Sequence, residues 1–189
     1  DLAVANFSDN DVSILINTGS GSFVKNAADE AVGVSPQHIT NADLNADGYL
    51  DLAVSNLTDN DVSILINDGD GTFTKNAADE AVGAGAEGIT AADLNADGYP
   101  DLAVANFSDD DVSILINDGD GTFTKNAADE AVGNGPLGIT ATDLNADGYP
   151  DLAVANQLDN DVSILINDGD GTFTKNAADE AVGATPFFP

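Results

Sequence analysis

The sequence contains no cysteine, methionine, tryptophan or arginine, and it has a single histidine. Without cysteine the chain can form neither a disulfide bond nor a thiol nucleophile, and its cysteine content gives no information about the redox compartment. No Ser-His-Asp triad or zinc set can be assembled around one histidine, His38, which we expect to be a surface or turn residue. We therefore predict that the protein is not an enzyme.

Basic charge is also scarce: four lysines stand against 34 Asp and Glu residues, for a net charge of −30. Because phosphate binding needs a basic surface, nucleic acid and anionic membranes are excluded as partners. The sequence has no apolar run long enough to span a membrane. Bound divalent cations or a salty medium would relieve the self-repulsion of so acidic a chain. A solvated acidic surface is the alternative explanation for much of the charge.

The chain is a single repeat domain over residues 1–189 with a period of 50. DLAV recurs at residues 1, 51, 101 and 151, and DVSILIN recurs at residues 11, 61, 111 and 161. A fixed period of this length is typical of repeat architectures. The units are residues 1–50, 51–100, 101–150 and 151–189, and the first and last blades are incomplete by sequence.

Each unit has the pattern of four short strands. Short apolar or alternating runs with β-branched residues favour strands, and Asn117–Gly121 is a strong hairpin signal. In the third unit the predicted strands are residues 101–107, 112–117, 122–125 and 138–142. The stretch 127–131 is ambiguous, because its residues favour a helix that is too short to be stable alone.

Four antiparallel strands per 50 residues predict an all-β fold, a β-propeller of four-stranded blades, either complete or part of a larger or oligomeric array. Strands that are apolar on both faces fit sheets stacked between neighbouring sheets. Alanine at positions such as Ala103 and Ala153 lets those sheets approach closely. A β-solenoid is the main competing fold, although its repeats are usually shorter.

The motif D-x-N-x-D-G-x-x-D occurs in full three times. Calcium is a hard ion that takes six to eight oxygen ligands, and side chains at positions 1, 3, 5 and 9 can converge on one ion if the chain wraps around it. The glycine at position 6 permits the turn, and the carbonyl at position 7 adds a backbone ligand. The candidate ligands are Asp43, Asn45, Asp47, Tyr49 and Asp51; Asp93, Asn95, Asp97, Tyr99 and Asp101; and Asp143, Asn145, Asp147, Tyr149 and Asp151. The sequence thus predicts about three Ca²⁺ ions per chain.

The loops differ from EF-hands, because position 12 is valine (Val54 in the first loop) instead of a bidentate glutamate. Magnesium is a poorer candidate, since it resists losing its waters to an all-protein cage. The simplest alternative is an acidic turn without metal, in which Asp and Asn only cap the bend.

The segment GITAADLNADGYPDLAVANFSDDDVSILINDGDGTF resembles the FG-GAP/VCBS repeat of bacterial surface proteins and integrin α-chain propellers. The resemblance covers essentially the whole chain. It implies that the loop joins the first two strands of a blade and binds Ca²⁺ through the matching positions. Family propellers usually have about seven blades, whereas this chain has four units, and Gly83–Ala86 matches the family's name motif poorly.

The repeat pattern is open at both ends. Asp1 matches position 9 of a loop whose first eight residues are absent, and residues 184–189 stop where another first strand would begin. The incomplete propeller could be completed in three ways. The chain could be longer and contain further blades, which we favour; blades could continue across associated copies; or Phe187 and Phe188 could partly plug the gap in a four-bladed ring.

The units diverge at two sites, the tip after the DLAV strand and the connection between units, as at residues 107–108 and 134–138. Loops on a rigid scaffold commonly carry binding, and relaxed drift explains the same pattern equally well. We predict a calcium-stabilised structural or adhesion module, extracellular or at the cell surface, whose partners are a protein or glycan ligand of the surface or matrix and other copies of itself. The alternative is a lectin-like propeller that binds carbohydrate through the variable loops.

Overall fold

The computed structural model describes residues 1–186, and every regular element in that range is a β-strand. The strands are β1 (Leu2–Asn6), β2 (Asp11–Asn17), β3 (Phe23–Lys25), β4 (Glu30–Ala31), β5 (Pro36–Ala42), β6 (Asp51–Asn56), β7 (Asp61–Asn67), β8 (Phe73–Lys75), β9 (Glu80–Ala81), β10 (Ala86–Ala92), β11 (Asp101–Asn106), β12 (Asp111–Asn117), β13 (Phe123–Lys125), β14 (Glu130–Ala131), β15 (Pro136–Thr142), β16 (Asp151–Asn156), β17 (Asp161–Asn167), β18 (Phe173–Lys175) and β19 (Glu180–Ala181). The all-β prediction is confirmed. Within residues 1–186 no helix is long and apolar enough to cross a membrane.

The strands form four antiparallel sheets: sheet 1 (β1–β4), sheet 2 (β5–β9), sheet 3 (β10–β14) and sheet 4 (β15–β19). Sheets 2 to 4 each begin with a seven-residue first strand, whereas sheet 1 begins with the strand that is second in the others. In sheet 3, one end of β12 pairs with β13 and the other end pairs with β14. Sheets 2 to 4 therefore each start inside one sequence unit and end inside the next, whereas sheet 1 lies within the first unit.

Residues 127–131, whose composition favours a helix, form a bend and the short strand β14. Asp111 and Val112 of β12 pair with Ala131 and Glu130. Pairing with an existing strand satisfies the backbone of this segment, whereas an isolated helical turn of five residues would leave most of its backbone groups without partners. The structure therefore resolves this ambiguous stretch as a bend and a short strand, and the tertiary structure overrides the local helical preference.

The hydrophobic core lies between consecutive sheets. We call the side of a sheet that faces the following sheet its trailing face, and the opposite side its leading face. Leu94, Val112 and Ile114 on the trailing face of sheet 3 pack against the leading face of sheet 4. The partners on that leading face are Ile139, Leu152, Val154, Leu165 and Phe173. Ala103 and Ala105 are fully buried in the same cluster, so small side chains do allow the sheets to approach closely, as predicted.

Consecutive sheets repeat this contact as the blades of a propeller do. The first strands β5, β10 and β15 pack against one another in turn, as expected for strands nearest a propeller centre. Among residues 1–186, extensive contacts join consecutive sheets only. The four sheets therefore form an open, propeller-like series. One of the three closures left open by the sequence, a plug formed by Phe187 and Phe188, lies outside the described residues.

A polar seam also joins neighbouring sheets. The buried Asn106 donates from Nδ2 to Asp111 Oδ1 (2.7 Å) and to Ser113 Oγ (2.9 Å). The amide of Gly83, from the preceding sheet, donates to the same Ser113 Oγ at 3.1 Å. A Cβ on Gly83 would lie 2.5 Å from Asn106 Nδ2, so this close approach requires glycine. Equivalent seams occur at Gly33 and Gly133.

Candidate functional site

The three acidic loops connect the first and second strands of sheets 2, 3 and 4. Each loop begins directly after the first strand, and its ninth residue is the first residue of the second strand, as with Asp51 in β6. The loop bases are therefore held by two paired strands. This is the position that the family resemblance implied.

Within each loop, side-chain oxygens accept hydrogen bonds from the loop's own backbone. In the second loop, Asp93 accepts from the amides of Asp97 (3.1 Å) and Gly98 (3.0 Å). Asn95 Oδ1 accepts from the Asp97 amide at 3.0 Å, and Asp97 Oδ1 accepts from the Tyr99 amide at 2.9 Å. The first and third loops repeat these bonds. Positions 1, 3 and 5 are therefore wrapped by one turn of backbone.

The turn requires left-handed backbone at two positions. Gly98, at position 6, has φ of 93°, as the motif predicts. Ala96, at position 4, has φ of 61°, and Ala46 and Ala146 have φ of 60° and 64°. An alanine in this region costs about 1–2 kcal/mol, because its Cβ crowds the following carbonyl. The loops therefore contain local backbone strain at position 4, which the motif leaves unspecified and so does not predict.

The ninth position has a structural role that sequence reasoning missed. Asp101 is fully buried, and its two carboxylate oxygens accept from the amides of Leu94 (2.9 Å) and Asn117 (2.8 Å). Burial raises the pKa of Asp101 to about 6, against the lowering effect of these two hydrogen bonds. The charges of Asp97 and Asp93 raise it further. Asp101 thus ties the start of its loop to the end of β12.

The donor chemistry of the loops fits calcium, since every candidate ligand atom is an oxygen. In the described part of the chain, however, no three or more His, Cys, Asp or Glu side chains are grouped so that they could hold a metal ion. The loop carboxylates are oriented toward backbone amides instead. Each carboxylate oxygen has two lone pairs, so an oxygen that accepts one hydrogen bond from a backbone amide can still bind a further partner.

The three loops differ in how much the rest of the fold covers them. Asn117 Nδ2, in sheet 3, donates to the carbonyl of Leu44 in the first loop at 2.9 Å. Asn167 Nδ2, in sheet 4, makes the same bond to Leu94 in the second loop. Within residues 1–186 no sheet follows sheet 4, and residues 143–149 of the third loop are exposed. Loops that are identical in sequence are therefore not equivalent in structure.

The loop tyrosines couple each acidic loop to a hairpin turn. A Cβ on Gly119 would lie 2.9 Å from ring atoms of Tyr99, so the ring packs directly on that glycine. Tyr49 and Tyr149 pack in the same way on Gly69 and Gly169. Sequence reasoning had assigned the tyrosines a backbone role alone. The 50-residue spacing of Tyr49, Tyr99 and Tyr149, matched by that of the hairpin glycines, was the available signal.

The two variable segments of each unit lie together, at the opposite end of the strands from the acidic loops. The amide of Phe107 donates to the Gly85 carbonyl, and that of Ser108 donates to the Ala84 carbonyl, at 2.8 and 3.0 Å. The amide of Gln157 likewise donates to Gly135. We call the residues 34–38, 57–58, 84–88, 107–108, 134–138 and 157–158 the variable surface.

The four lysines and the histidine each interact with specific neighbours. Each lysine pairs with an aspartate four residues later, as with Lys75 Nζ and Asp79 Oδ1 at 2.7 Å. His38 lies half-buried in β5 instead of at a turn. Burial lowers the pKa of His38, and a hydrogen bond to the Glu87 backbone partly offsets that effect.

One cavity, of about 640 Å³, lies between sheets 1 and 2. It lies beside Ala3, Ile39 and Phe73. Polar groups of Asn41 and Asn67 and the ring of Tyr49 also line it. The lining of the cavity therefore combines apolar side chains with polar groups.

A family model described as an FG-GAP-like repeat matches residues 43–104, 93–154 and 143–187. No curated protein matches the sequence significantly. Among solved structures, the chain is similar to an Agrocybe aegerita lectin that recognises non-reducing terminal N-acetylglucosamine, at 23% identity and a TM-score of 0.57, over 89% of this chain and 46% of the lectin.

Two further structures show the same fold. A Bacteroides uniformis protein named as a candidate 6-phosphogluconolactonase matches at 18% identity and a TM-score of 0.77, over 97% of this chain and 52% of that one. The complex of BBS1N with ARL6DN matches at 17% identity and a TM-score of 0.59, over 98% of this chain and 57% of that one. The chain thus spans about half the length of the solved structures it matches.

Proposed function

Because the chain belongs to the FG-GAP-like repeat family, we propose that it is a calcium-stabilised extracellular repeat module, structural or adhesive, without catalytic activity. The observation that carries this proposal is the three-fold recurrence of an all-oxygen donor loop held between two paired strands. Similarity to solved structures supports the fold alone.

Charge supplies the physical reason for a metal. Each loop brings three carboxylates into nine residues of a chain with a net charge of −30. A divalent cation would neutralise that repulsion locally, and an ion that binds only the folded chain stabilises it by about 2.7 kcal/mol when its concentration is 100-fold above the dissociation constant. We propose that calcium, bound at positions 1, 3, 5, 7 and 9, has this role.

The two covered loops and the exposed loop should bind calcium with different affinity. The carbonyls of Leu44 and Leu94 are clamped by Asn117 and Asn167 of the following sheet, so those loops lose less freedom when an ion binds. The third loop has no such clamp within residues 1–186. We expect two tighter sites and one weaker site per chain.

Calorimetric titration of the chelator-treated chain with calcium tests the proposal. We expect about three ions per wild-type chain and about two for the Asp93→Ala/Asp97→Ala variant. The matched control, Asp118→Ala/Asp120→Ala, removes two acidic charges from a hairpin turn and should keep all three sites. An absence of calcium binding, or equal loss in both variants, would sink the proposal.

We further propose that the variable surface binds the partner, a protein or glycan of the cell surface or matrix. Support comes from its divergence between otherwise near-identical units and from the hydrogen bonds that hold its two segments together. Exchanging residues 84–88 and 107–108 together with 134–138 and 157–158 keeps those bonded pairs intact. Unchanged binding to a captured surface ligand after this exchange would refute the assignment.

A glycan-binding module is the second candidate function. The cavity between sheets 1 and 2 offers an aromatic ring and amide groups, a combination that suits sugars. Glycan-array binding that is lost in Tyr49→Ala but kept in Tyr99→Ala, whose ring does not line the cavity, would favour this candidate. Binding that depends on the exchanged loops would favour the variable surface instead.

A further inference from the structure

The series of sheets exposes two apolar faces, one at each end. On the leading face of sheet 1, Val4 is 46% exposed, whereas its equivalent Val54 in sheet 2 is fully buried. On the trailing face of sheet 4, Leu144 is 47% exposed, whereas its equivalent Leu94 is 1% exposed. Leu2 and Phe23 are exposed on the first face, and Val182 is exposed on the second. Large apolar side chains exposed together usually mark an interaction surface.

These two faces are complementary, because the same residue types already meet inside the molecule. The trailing face of sheet 3 presents Leu94, Val112 and Ile114 to the leading face of sheet 4. On sheet 4 the residues equivalent to these three are Leu144, Val162 and Ile164. On sheet 1 the residues equivalent to Leu152, Val154 and Phe173 of the leading face of sheet 4 are Leu2, Val4 and Phe23. The interface between sheets 2 and 3 has the same composition.

Polar groups continue the same pattern. Asn26, Asn76 and Asn126 each donate from Nδ2 to a glycine carbonyl of the following sheet, at 2.8–2.9 Å. Asn176 is the fourth member of this series and is exposed. The glycine that corresponds to its acceptor is Gly21, which is also exposed, in the hairpin of sheet 1.

We propose that a second copy of this chain docks head to tail, its sheet 1 packing on sheet 4 of the first copy. The contact repeats the internal sheet–sheet interface across two chains, with Leu144 and Val182 against Leu2 and Val4, and with the Asn176 amide donating to the Gly21 carbonyl. Such a contact is heterologous, so it closes into a ring or extends according to the rotation between copies. The chain covers 46% to 57% of the propeller-like structures that it matches, so two copies supply about one complete fold.

Sedimentation velocity across a range of protein concentrations, in 0.15 and 1 M NaCl, tests the proposal. Because each copy carries a net charge of −30, we expect association to strengthen at high salt. Leu144→Asp blocks the trailing face and Val4→Asp blocks the leading face, so each variant alone should be a single chain. Leu158→Asp, which adds the same charge at an exposed tip on neither face, should associate like the wild type.

Mixing the two blocked variants gives the sharpest result. The Leu144→Asp chain keeps an intact leading face, and the Val4→Asp chain keeps an intact trailing face, so an equimolar mixture should form a one-to-one complex. Restoration on mixing supports a head-to-tail contact. A wild type that stays a single chain in 1 M NaCl, or a mixture that fails to associate, overturns the proposal.

The Asn176→Ala variant tests the same contact without introducing a charge that could cause misfolding. The side chain is exposed, so the variant should keep the wild-type circular dichroism spectrum. Loss of one interfacial hydrogen bond should weaken association roughly two- to tenfold. Unchanged association of Asn176→Ala would overturn the proposed register between the copies.

Discussion

The clearest test of the loop chemistry is the replacement of Asp101, the buried residue at position 9 of the second loop. Its carboxylate accepts from the amides of Leu94 and Asn117, and burial raises its pKa to about 6 from the ordinary 3.8. A group whose pKa is raised by folding contributes stability that is present below pH 3.8 and lost as the pH rises through about 6. At pH 7 the ionised carboxylate therefore costs the fold roughly 3 kcal/mol in the absence of an ion.

Two substitutions separate the charge from the hydrogen bonds. Asp101→Asn removes the charge but leaves one amide without an acceptor, which costs about 1–3 kcal/mol, so we expect it to be within about 1–2 kcal/mol of the wild type in chelator. Asp101→Ala leaves both amides without an acceptor and should be about 1–3 kcal/mol less stable than Asp101→Asn. For a chain of this size each kcal/mol corresponds to roughly 2–4 °C in melting temperature.

Thermal unfolding in chelator and in calcium measures both roles of Asp101. In chelator, the order of stability reports the structural role. In calcium, both variants should lose the stabilisation contributed by the second loop, since a ligand is removed. Equal destabilisation by Asp101→Asn and Asp101→Ala in chelator would refute the argument that the cost of burying the charge is offset by the hydrogen bonds that the side chain accepts. Full calcium stabilisation in both variants would refute the assignment of position 9 as a ligand.

Three further predictions concern backbone, packing and pH. Ala96→Gly should raise the melting temperature by about 2 °C, since it relieves left-handed strain, whereas Ala127→Gly at a position without positive φ should give no gain. Gly83→Ala should destabilise the chain by about 1–3 kcal/mol in denaturant titration through its clash with a buried asparagine, and Gly183→Ala, which has open space, should have little effect. Burial raises the pKa of Asp111, so Asp111→Asn should stabilise the chain at pH 7 and lose that gain as the pH falls toward 4. A gain that stays constant with pH would contradict the last of these predictions.

Much of the fold could be predicted because its signals are local. Alternation in residues 112–117 and the Asn-Asp-Gly turn that follows give the hairpin of β12 and β13 directly, and the period of 50 repeats it. The exception is residues 127–131, where helical composition and strand pairing disagree. Pairing with Asp111 and Val112 decided that case, and partners 18 and 20 residues away leave no trace in local composition.

The candidate loops were predictable as donor sets, and their internal arrangement was only partly so. Spacing indicated that Asp93, Asn95 and Asp97 share one turn, and the hydrogen bonds of that turn agree with this. Spacing gave no sign that Tyr99 packs on Gly119, because the two residues meet only when the loop and the hairpin fold onto one sheet. Calcium binding itself stays a prediction that the calorimetric titration addresses.

By itself the sequence determined the repeat, the strands, the sign of the charge and the chemistry of the donor groups, since each depends on residues that are near one another in the chain. The tertiary structure alone decided what identical residues do. Leu94 is buried and Leu144 is exposed because a following sheet covers the first and not the second. The buried carboxylate of Asp101 links two backbone segments because its two amide partners, seven and sixteen residues away, converge on it only after the strands pair.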